Sequence, residues 1–502
     1  MKGARSAVPM TKSPWNAIAG FIAAALICIY FFEMSRLSIH TGFSHDDLMN
    51  TYLAWREPWS DVLLSNLFVP TKVIRPFGAL FYVTLFDRFG FDPVPFRLVC
   101  YIALWFNVFL MFVVGRYLTG RYEVALLLTF LHCHRSEFFP FYYGSGYCYD
   151  IFAFAFYFSA LAIYVRARSK GKTLRSYELA VIAILYACAV NAKEAAASLP
   201  AIFLAYELIF NPPKSGRYVV TWLKHEGRGF IATGLVGVAF VWARFTGPNN
   251  LLNHPAYTPL FTLGRYLEST ATYLNDLVVR PAFFSPASAG YLLLALLAVA
   301  ALTRNRLLLF AWILIVAGSA PIAFVQPRGL ASYYIPTFGY SLYAGILLVR
   351  LGDLLTRTSR RVPALVWHSA VFLAIFVTVV PFERKHAAVY RESYWDEWKR
   401  IQLTADYYKA HPEWFGPAKS MLIVNDPLQG GNWDSAFIAY LIGGHRSMHV
   451  QKLSEMNPKP TPEEIATYST IIAFRDGRYV SLKPDEVVDP ERISPGAERI
   501  SH

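Results

Sequence analysis

Two adjacent carboxylates, Asp46 and Asp47, follow Ser44 and His45 just beyond the first long apolar run of the chain. On a helix, neighbouring side chains point about 100° apart. One acid can then face a reacting group while the other orients a metal, a cation or an acceptor. The competing role is structural, since carboxylates after Ser44 also suit a helix N-terminus. Three cations, Arg75, Lys193 and Arg328, have the chemistry to hold phosphate, arginine as a forked donor and lysine as a compact charge. Their simpler role is to reach for lipid headgroups. For Lys193 the adjacent Glu194 points to a pinned pair or network. His132, His134 and Glu137 carry metal-ligand chemistry, but His132 and Glu137 lack the i, i+4 spacing of a helical ligand pair. A hydrogen-bonded polar cluster of Glu194, His132, Glu137 and Asp150 is the expectation there, with a divalent metal left open.

The elements that must position these groups are membrane spans. Of 502 residues, 55% are hydrophobic and 16% charged, and mean hydropathy is +0.34. That combination is foreign to soluble domains. Pro14 to Phe32 is uncharged over roughly 19 residues, enough to cross a hydrocarbon core, and it ends in Ile29-Tyr30-Phe31-Phe32 rather than a cleavage-type small-residue site. The net charge of +13 does not mark a nucleic-acid binder, because the cations sit in short loops between apolar runs, as topology requires. Cys133 and Cys148 flank one outer loop and could pair.

Lys2, Arg5 and Lys12 place the N-terminus inside. Pro76 to Phe86 is apolar but too short to cross, and reads as an interfacial or re-entrant helix. Leu179 to Phe210 lies between two basic flanks, Arg166 to Arg175 and Lys214 to Arg228. It must therefore go out and return, with its turn at Asn191-Ala192-Lys193-Glu194 sunk into the outer face. The expected fold is an α-helical polytopic membrane protein of about eleven transmembrane helices. Residues 1–382 form the membrane domain, with outer loops near 33–95 and 246–285, and residues 383–502 form a small extracytoplasmic α/β domain. In that tail Ser420 to Val424 reads as a strand and Asp434 to Ile442 as a helix. Thr470 to Phe474 and Tyr479 to Leu482 read as a hairpin around Asp476-Gly477. Every candidate residue falls on the outer face. The absence of Asn-x-Ser/Thr favours a bacterial inner membrane.

On these residues the chain resembles the GT-C superfamily of polyprenyl-phosphate-sugar-dependent glycosyltransferases. The pattern is most like the protein O-mannosyltransferase branch, including transmembrane members that carry TPR repeats. The resemblance spans about Phe43 to Val349. The paired acids of the family's first outer loop match Asp46-Asp47. Its Arg-Pro, apolar helix and Pro-containing turn match Arg75-Pro76 through Phe89-Gly90-Phe91-Asp92-Pro93. Its Lys-Glu, Leu-Pro and acidic series matches Lys193-Glu194, Leu199-Pro200 and Glu207. Its Arg-Tyr-Pro segment appears as Arg328 to Pro336 with altered spacing. The His-Pro-x-His-x-Glu segment survives only at His132 and Glu137, and the TPR array is absent.

The resemblance implies a GT-C fold, a polyprenyl-phosphate-sugar donor in the membrane lipid, and a protein, glycan or lipid acceptor. It implies Asp46 as base supported by Asp47, with Lys193, Arg328 and Arg75 on the donor phosphate. Two rival readings are a transporter or flippase of lipid-linked glycans and a non-catalytic scaffold of the same fold. Against the first, the polar residues gather on one side and no internal repeat is present.

Overall fold

In a computed structural model the described residues are 17–64, 75–133, 135–213, 219–246, 257–359, 361–428 and 433–487. Lys2, Arg5, Lys12, His134, Lys214 and Arg217 lie outside them.

The helices that carry the argument are α1 (Ala17–Ser35), α2 (His45–Arg56), α3 (Pro76–Phe89), α4 (Pro93–Thr119), α5 (Tyr122–Cys133), α6 (Cys148–Arg168), α7 (Ser176–Ala192), α8 (Leu199–Phe210), α9 (Arg228–Thr246), α10 (Leu263–Leu277), α11 (Pro286–Leu302), α12 (Arg306–Ala323), α13 (Tyr334–Thr358), α14 (Ala364–Ala410) and α15 (Asp434–Gly443). Seven of them, α1, α4, α6, α9, α12, α13 and α14, are long and apolar enough to cross a membrane. The other four expected crossings, α5, α7, α8 and α11, are helices of 12, 17, 12 and 17 residues. Each is shorter than the roughly 20 residues that span a bilayer unaided.

Helix α6 is the most enclosed of the seven, and α1 and α14 are the most peripheral. Phe154, Tyr157, Phe158 and Tyr164 on α6 are wholly buried, and α4 and α7 pack against it. Outward, Leu235, Val238 and Trp242 on α9 are exposed at helical spacing. This is how a span presents a face to lipid rather than to a protein core. Helices α12 and α13 approach closely at Gly339, where an added Cβ would lie 2.8 Å from the Ile315 nitrogen and 3.0 Å from the Ala311 oxygen.

The tail differs from expectation at its root. Helix α14 runs unbroken for 47 residues, roughly 70 Å at 1.5 Å per residue. It therefore outreaches any bilayer. The expected boundary at 382/383 falls inside it, and the separate helix expected near Glu392 to Ala410 is its last stretch. Pro381 did not end the helix. Beyond it lie β1 (Ser420–Ile423), β2 (His449–Lys452), β3 (Thr470–Arg475) and β4 (Arg478–Ser481) in the order β2-β1-β3-β4. β1 is parallel to both neighbours, and β3 and β4 are antiparallel. Asp476 and Gly477 have φ of 49° and 78°, the left-handed pair that a tight hairpin needs. Side chains alternate between two cores. Met421, Ile423 and Ile472 face α14 and α15, whereas Leu422, Ile471 and Ala473 face a smaller apolar cluster with Ile465 and Leu482. Cys133 and Cys148 are separate free thiols, so the disulfide that the loop allowed does not form. Each begins or ends a helix of the buried bundle.

A valine at Gly339 should wedge α12 from α13 and destabilise the protein by about 1–3 kcal/mol, read as a lower thermal unfolding midpoint. Valine at Gly20, which faces open space, should leave the midpoint unchanged.

Candidate active site

Helix α2 begins with a capping box. The Asp47 carboxylate accepts from the Ser44 backbone N–H and hydroxyl, both at 2.9 Å. The Tyr82 hydroxyl donates to its other oxygen at 3.2 Å, and Arg97 approaches at 3.4 Å. Asp47 is fully buried. It fixes α2 against α3 and α4, and its oxygens are already engaged. The structural role weighed for the acid pair thus belongs to Asp47.

Asp46 is different. Its backbone carbonyl accepts from Asn50 at 2.7 Å, but among the described residues no hydrogen bond or ion pair engages its carboxylate. Burial pushes its pKa above the ordinary carboxylate value, and the charge of Asp47 adds to this. His45, Lys193 and Arg75 pull the other way. A carboxylate that is unengaged, partly desolvated and raised in pKa is a better proton acceptor than a solvated one. The chain beside it is trimmed to make room, since a Cβ at Gly146 would fall 2.5 Å from the Asp46 Cβ.

The start of α6 links Asp46 to the cations. Tyr149 lies beneath the Arg75 guanidinium, 5.3 Å from its ring centre. Asp150 binds the Lys193 ammonium at 3.0 Å. Helix α7 ends at Ala192, Lys193 is extended, and Glu194 opens a short 3-10 turn before α8. This is the expected hairpin turn. Arg75 stands at the N-cap of α3 before Pro76, and its Nη2 and Nε reach the two Glu194 oxygens at 2.7 and 3.2 Å. The pairing is therefore crossed. Lys193 goes to Asp150, and its sequence neighbour Glu194 goes to Arg75. Burial disfavours the charges of both Arg75 and Glu194. Their mutual attraction outweighs it, holding Glu194 well below the usual carboxylate range and Arg75 above the usual arginine value.

Arg75, Lys193, Glu194 and Arg328 line one cavity of about 280 Å³. A further cation lines it that the sequence reading did not single out, Arg244 at the end of α9. The available signal was its position. The loop charges read from the sequence would put that end of the span outside, where the positive-inside rule does not ask for a cation. Arg328 lies over the Tyr257 ring at 4.1 Å. Burial would raise the Tyr257 phenol, but Arg75 and Arg328 bring its pKa below the ordinary value. The rest of the wall is apolar, with Phe240, Phe245, Phe261, Ile322 and Phe324. The cavity thus combines a set of cations with a largely apolar wall, and Arg244 lies over the Phe240 ring at 5.0 Å. Asp46 and Asp47 do not line it, although the charges of Lys193 and Arg75 reach Asp46.

The expected cluster of Glu194, His132, Glu137 and Asp150 is split. Glu194 and Asp150 belong with the cations. His132 is wholly buried, stacked at 5.0 Å on Tyr334 and 5.4 Å on Phe154. Glu137 turns toward α14, where Tyr390 donates to it at 2.7 Å. There burial pushes its pKa up to about 7, opposed by that hydrogen bond and reinforced by Asp276 and Glu383. The cause is local. Helix α5 ends at Cys133 and a 3-10 turn starts at Ser136, so His132 and Glu137 leave in different directions. Among the described residues no three His, Cys, Asp or Glu side chains gather as metal ligands.

The tail closes over α2. The His45 backbone N–H donates to Glu397 on α14 at 2.8 Å, and the His45 ring meets Asp434 at the start of α15. Tyr52 stacks on Phe437 and packs on Tyr440, and Arg446 lies over Trp55.

No family model and no curated protein matches the chain. Among solved structures, ArnT from Cupriavidus metallidurans bound to undecaprenyl phosphate aligns at a TM-score of 0.47 and 14% identity, over 92% of this chain and 97% of that one. Its apo state gives 0.45 and 13%, over 91% and 93%. Likeness at that level assigns no residue a role.

The bond to Asp434 raises the His45 pKa, against burial and with help from Asp434, Asp46 and Glu397 charge. A raised folded pKa stabilises the docked tail fully below the unfolded value of about 6.5. That stabilisation is lost as pH climbs through the folded value. Proteolysis of the tail should therefore speed up as the pH is raised from below about 6.5 to above it. Asp434→Asn should flatten this dependence.

Proposed function

We propose that the chain is a membrane glycosyltransferase that moves a sugar from a polyprenyl-phosphate donor to an acceptor hydroxyl, with inversion at the anomeric carbon. The observation that carries this is one cavity holding Arg75, Lys193, Arg244 and Arg328 against an aromatic and aliphatic wall, within electrostatic reach of the unengaged carboxylate of Asp46. A lipid-linked phosphate sugar has the matching form, with a charged phosphate joined to a long apolar chain.

In this reading the donor phosphate enters among the four cations. Asp150 and Glu194 hold Lys193 and Arg75 in place without cancelling the cavity's positive balance. The acceptor hydroxyl attacks the anomeric carbon from the side opposite the phosphate, and Asp46 takes its proton as the new bond forms. The bond from the anomeric carbon to the phosphate oxygen breaks, and the electron pair leaves with that oxygen. Negative charge then grows on the polyprenyl phosphate, where preorganised cations in a poorly hydrated site are most effective. Asp47 does no proton transfer. It holds α2 and, through its charge, keeps Asp46 basic. The outer-face, bacterial inner-membrane placement and the O-mannosyltransferase-like acceptor class are part of the same proposal. They rest on the loop charges and the motif resemblance.

Three substitutions test it with labelled polyprenyl-phosphate sugars. Asp46→Asn should lower kcat by about 10²–10⁴-fold with donor binding retained. Lys193→Ala and Arg244→Ala should each weaken donor affinity and slow transfer by about 10²-fold or more. Full activity in Asp46→Asn removes Asp46 as the base. Unchanged donor affinity in both cation variants removes the cavity as the phosphate site.

A further inference from the structure

The densest basic loop of the chain lies at the far end of α6 from the cavity. Helix α6 starts beside Asp150 and ends at Arg168 after 21 residues, about 31 Å along its axis. The loop Arg168 to Arg175 therefore sits at the opposite membrane face. A run of cations there is ordinarily a solvated topology signal. This one is built differently.

Buried Arg168 is the reason. Its Nε and Nη2 take both oxygens of buried Glu207 at 2.7 and 2.9 Å. It also meets Glu226, and its Nη1 donates to the Lys172 carbonyl at 2.9 Å. Glu207 accepts further from Tyr164 at 2.6 Å and from Asn211 at 2.9 Å. Burying such a network contributes little net stability. What it does here is fix the backbone of the loop. The reversal is completed at Gly171, with φ of 66°, and by Lys172 N–H bonding back to Ala167 at 3.2 Å. Glu178 is spent on the Arg175 backbone N–H at 2.8 Å.

The fixed loop holds Arg166, Lys170, Lys172 and Arg175 around a cavity of about 300 Å³. Glu178 lines the cavity as well, but among the described residues no carboxylate forms an ion pair with the side chain of any of these four cations. Below the cavity, α7 presents an exposed apolar stripe. Tyr177, Val181 and Ile184 are 60%, 41% and 62% exposed, and their i, i+4, i+7 spacing puts them on one helix face. Four unpaired cations above a lipid-facing stripe match a phosphate that carries acyl chains better than a soluble anion, which has no use for the stripe.

We infer that this cavity is a binding site for the phosphate headgroup of an anionic glycerophospholipid, with its acyl chains laid along Tyr177, Val181 and Ile184. The site is separate from the proposed donor cavity, and it holds whether or not the chain transfers sugar. It would place a resident lipid against the α6–α7 pair, whose other ends hold Asp150 and Lys193.

The full-length protein in nanodiscs of equimolar phosphatidylglycerol and phosphatidylcholine tests this, with retained lipid counted by native mass spectrometry. Wild type should retain phosphatidylglycerol preferentially. Lys170→Gln with Lys172→Gln should cut that preference by about fivefold per lysine. Val181→Ser with Ile184→Ser should cut it too, which a purely electrostatic attraction to a charged surface would not show. Inorganic phosphate in millimolar excess should neither displace the lipid nor give a binding isotherm. Equal retention of the two lipids, an unchanged preference in the lysine variant, or saturable phosphate binding lost in that variant would each overturn the inference. Since Arg168 fixes the loop, the lysine variant should keep its wild-type unfolding midpoint in pure phosphatidylcholine. A collapse there would also count against the inference.

Discussion

Two crossed ion pairs govern the arrangement. Arg75 reaches Glu194 and Asp150 reaches Lys193, so Glu194 does not serve Lys193, the cation beside it in sequence. The start of α3, the start of α6 and the turn between α7 and α8 are brought to one place because each leaves a charge that the others must neutralise. In a poorly hydrated setting an unpaired member of such a set costs several kcal/mol, so the three segments cannot drift apart independently. Such pairs add little net stability, because desolvation consumes most of the attraction. Their effect is on geometry. They hold two cations at a fixed spot while Arg244 and Arg328 close the same cavity from α9 and from the segment before α13.

The acid pair shows how environment separates two chemically identical groups. Asp47 is enclosed by Ser44, Tyr82 and Arg97. Asp46, one residue away, has no such partners among the described residues and is raised in pKa by burial and by Asp47 itself. One acid anchors the helix so that the other can be left reactive. The tail takes part in the same anchoring. Glu397 and Asp434 hold His45, the residue before Asp46, at the first turn of α2. The long α14 is what carries both of them to that position.

Much of this was legible in residue order. The charge flanks around Leu179 to Phe210 required a reversal, and the turn falls at Lys193-Glu194 as they demanded. The Asp476-Gly477 pair marked the β3–β4 hairpin because few residues other than glycine and asparagine tolerate that backbone. What was not legible follows from packing. His132 and Glu137 are close in sequence, but the end of α5 falls between them, and whether a helix stops at Cys133 depends on neighbours that the local sequence does not show. Strand β2 alternates in burial, with His449 turned out and Val450 and Lys452 turned in, but a lysine stands where an apolar residue would have marked the inward face. It is a strand because β1 needed a parallel partner. The continuity of α14 through Pro381 was hidden because a proline signals a helix end more often than a tolerated interior position. Arg244 was not singled out, because it falls inside the apolar run read as a span near Phe230 to Phe245.

The central claim is that a lipid-linked phosphate sits among Arg75, Lys193, Arg244 and Arg328 with its reacting sugar toward Asp46. An electron cryo-microscopy structure of the protein with a polyprenyl phosphate bound measures this most directly. The account predicts the phosphate within hydrogen-bonding distance of Lys193 and at least one of the arginines, with the isoprenoid chain along Phe240, Phe245 and Phe324. A phosphate bound elsewhere, with the cavity closed or filled only by water, would contradict it.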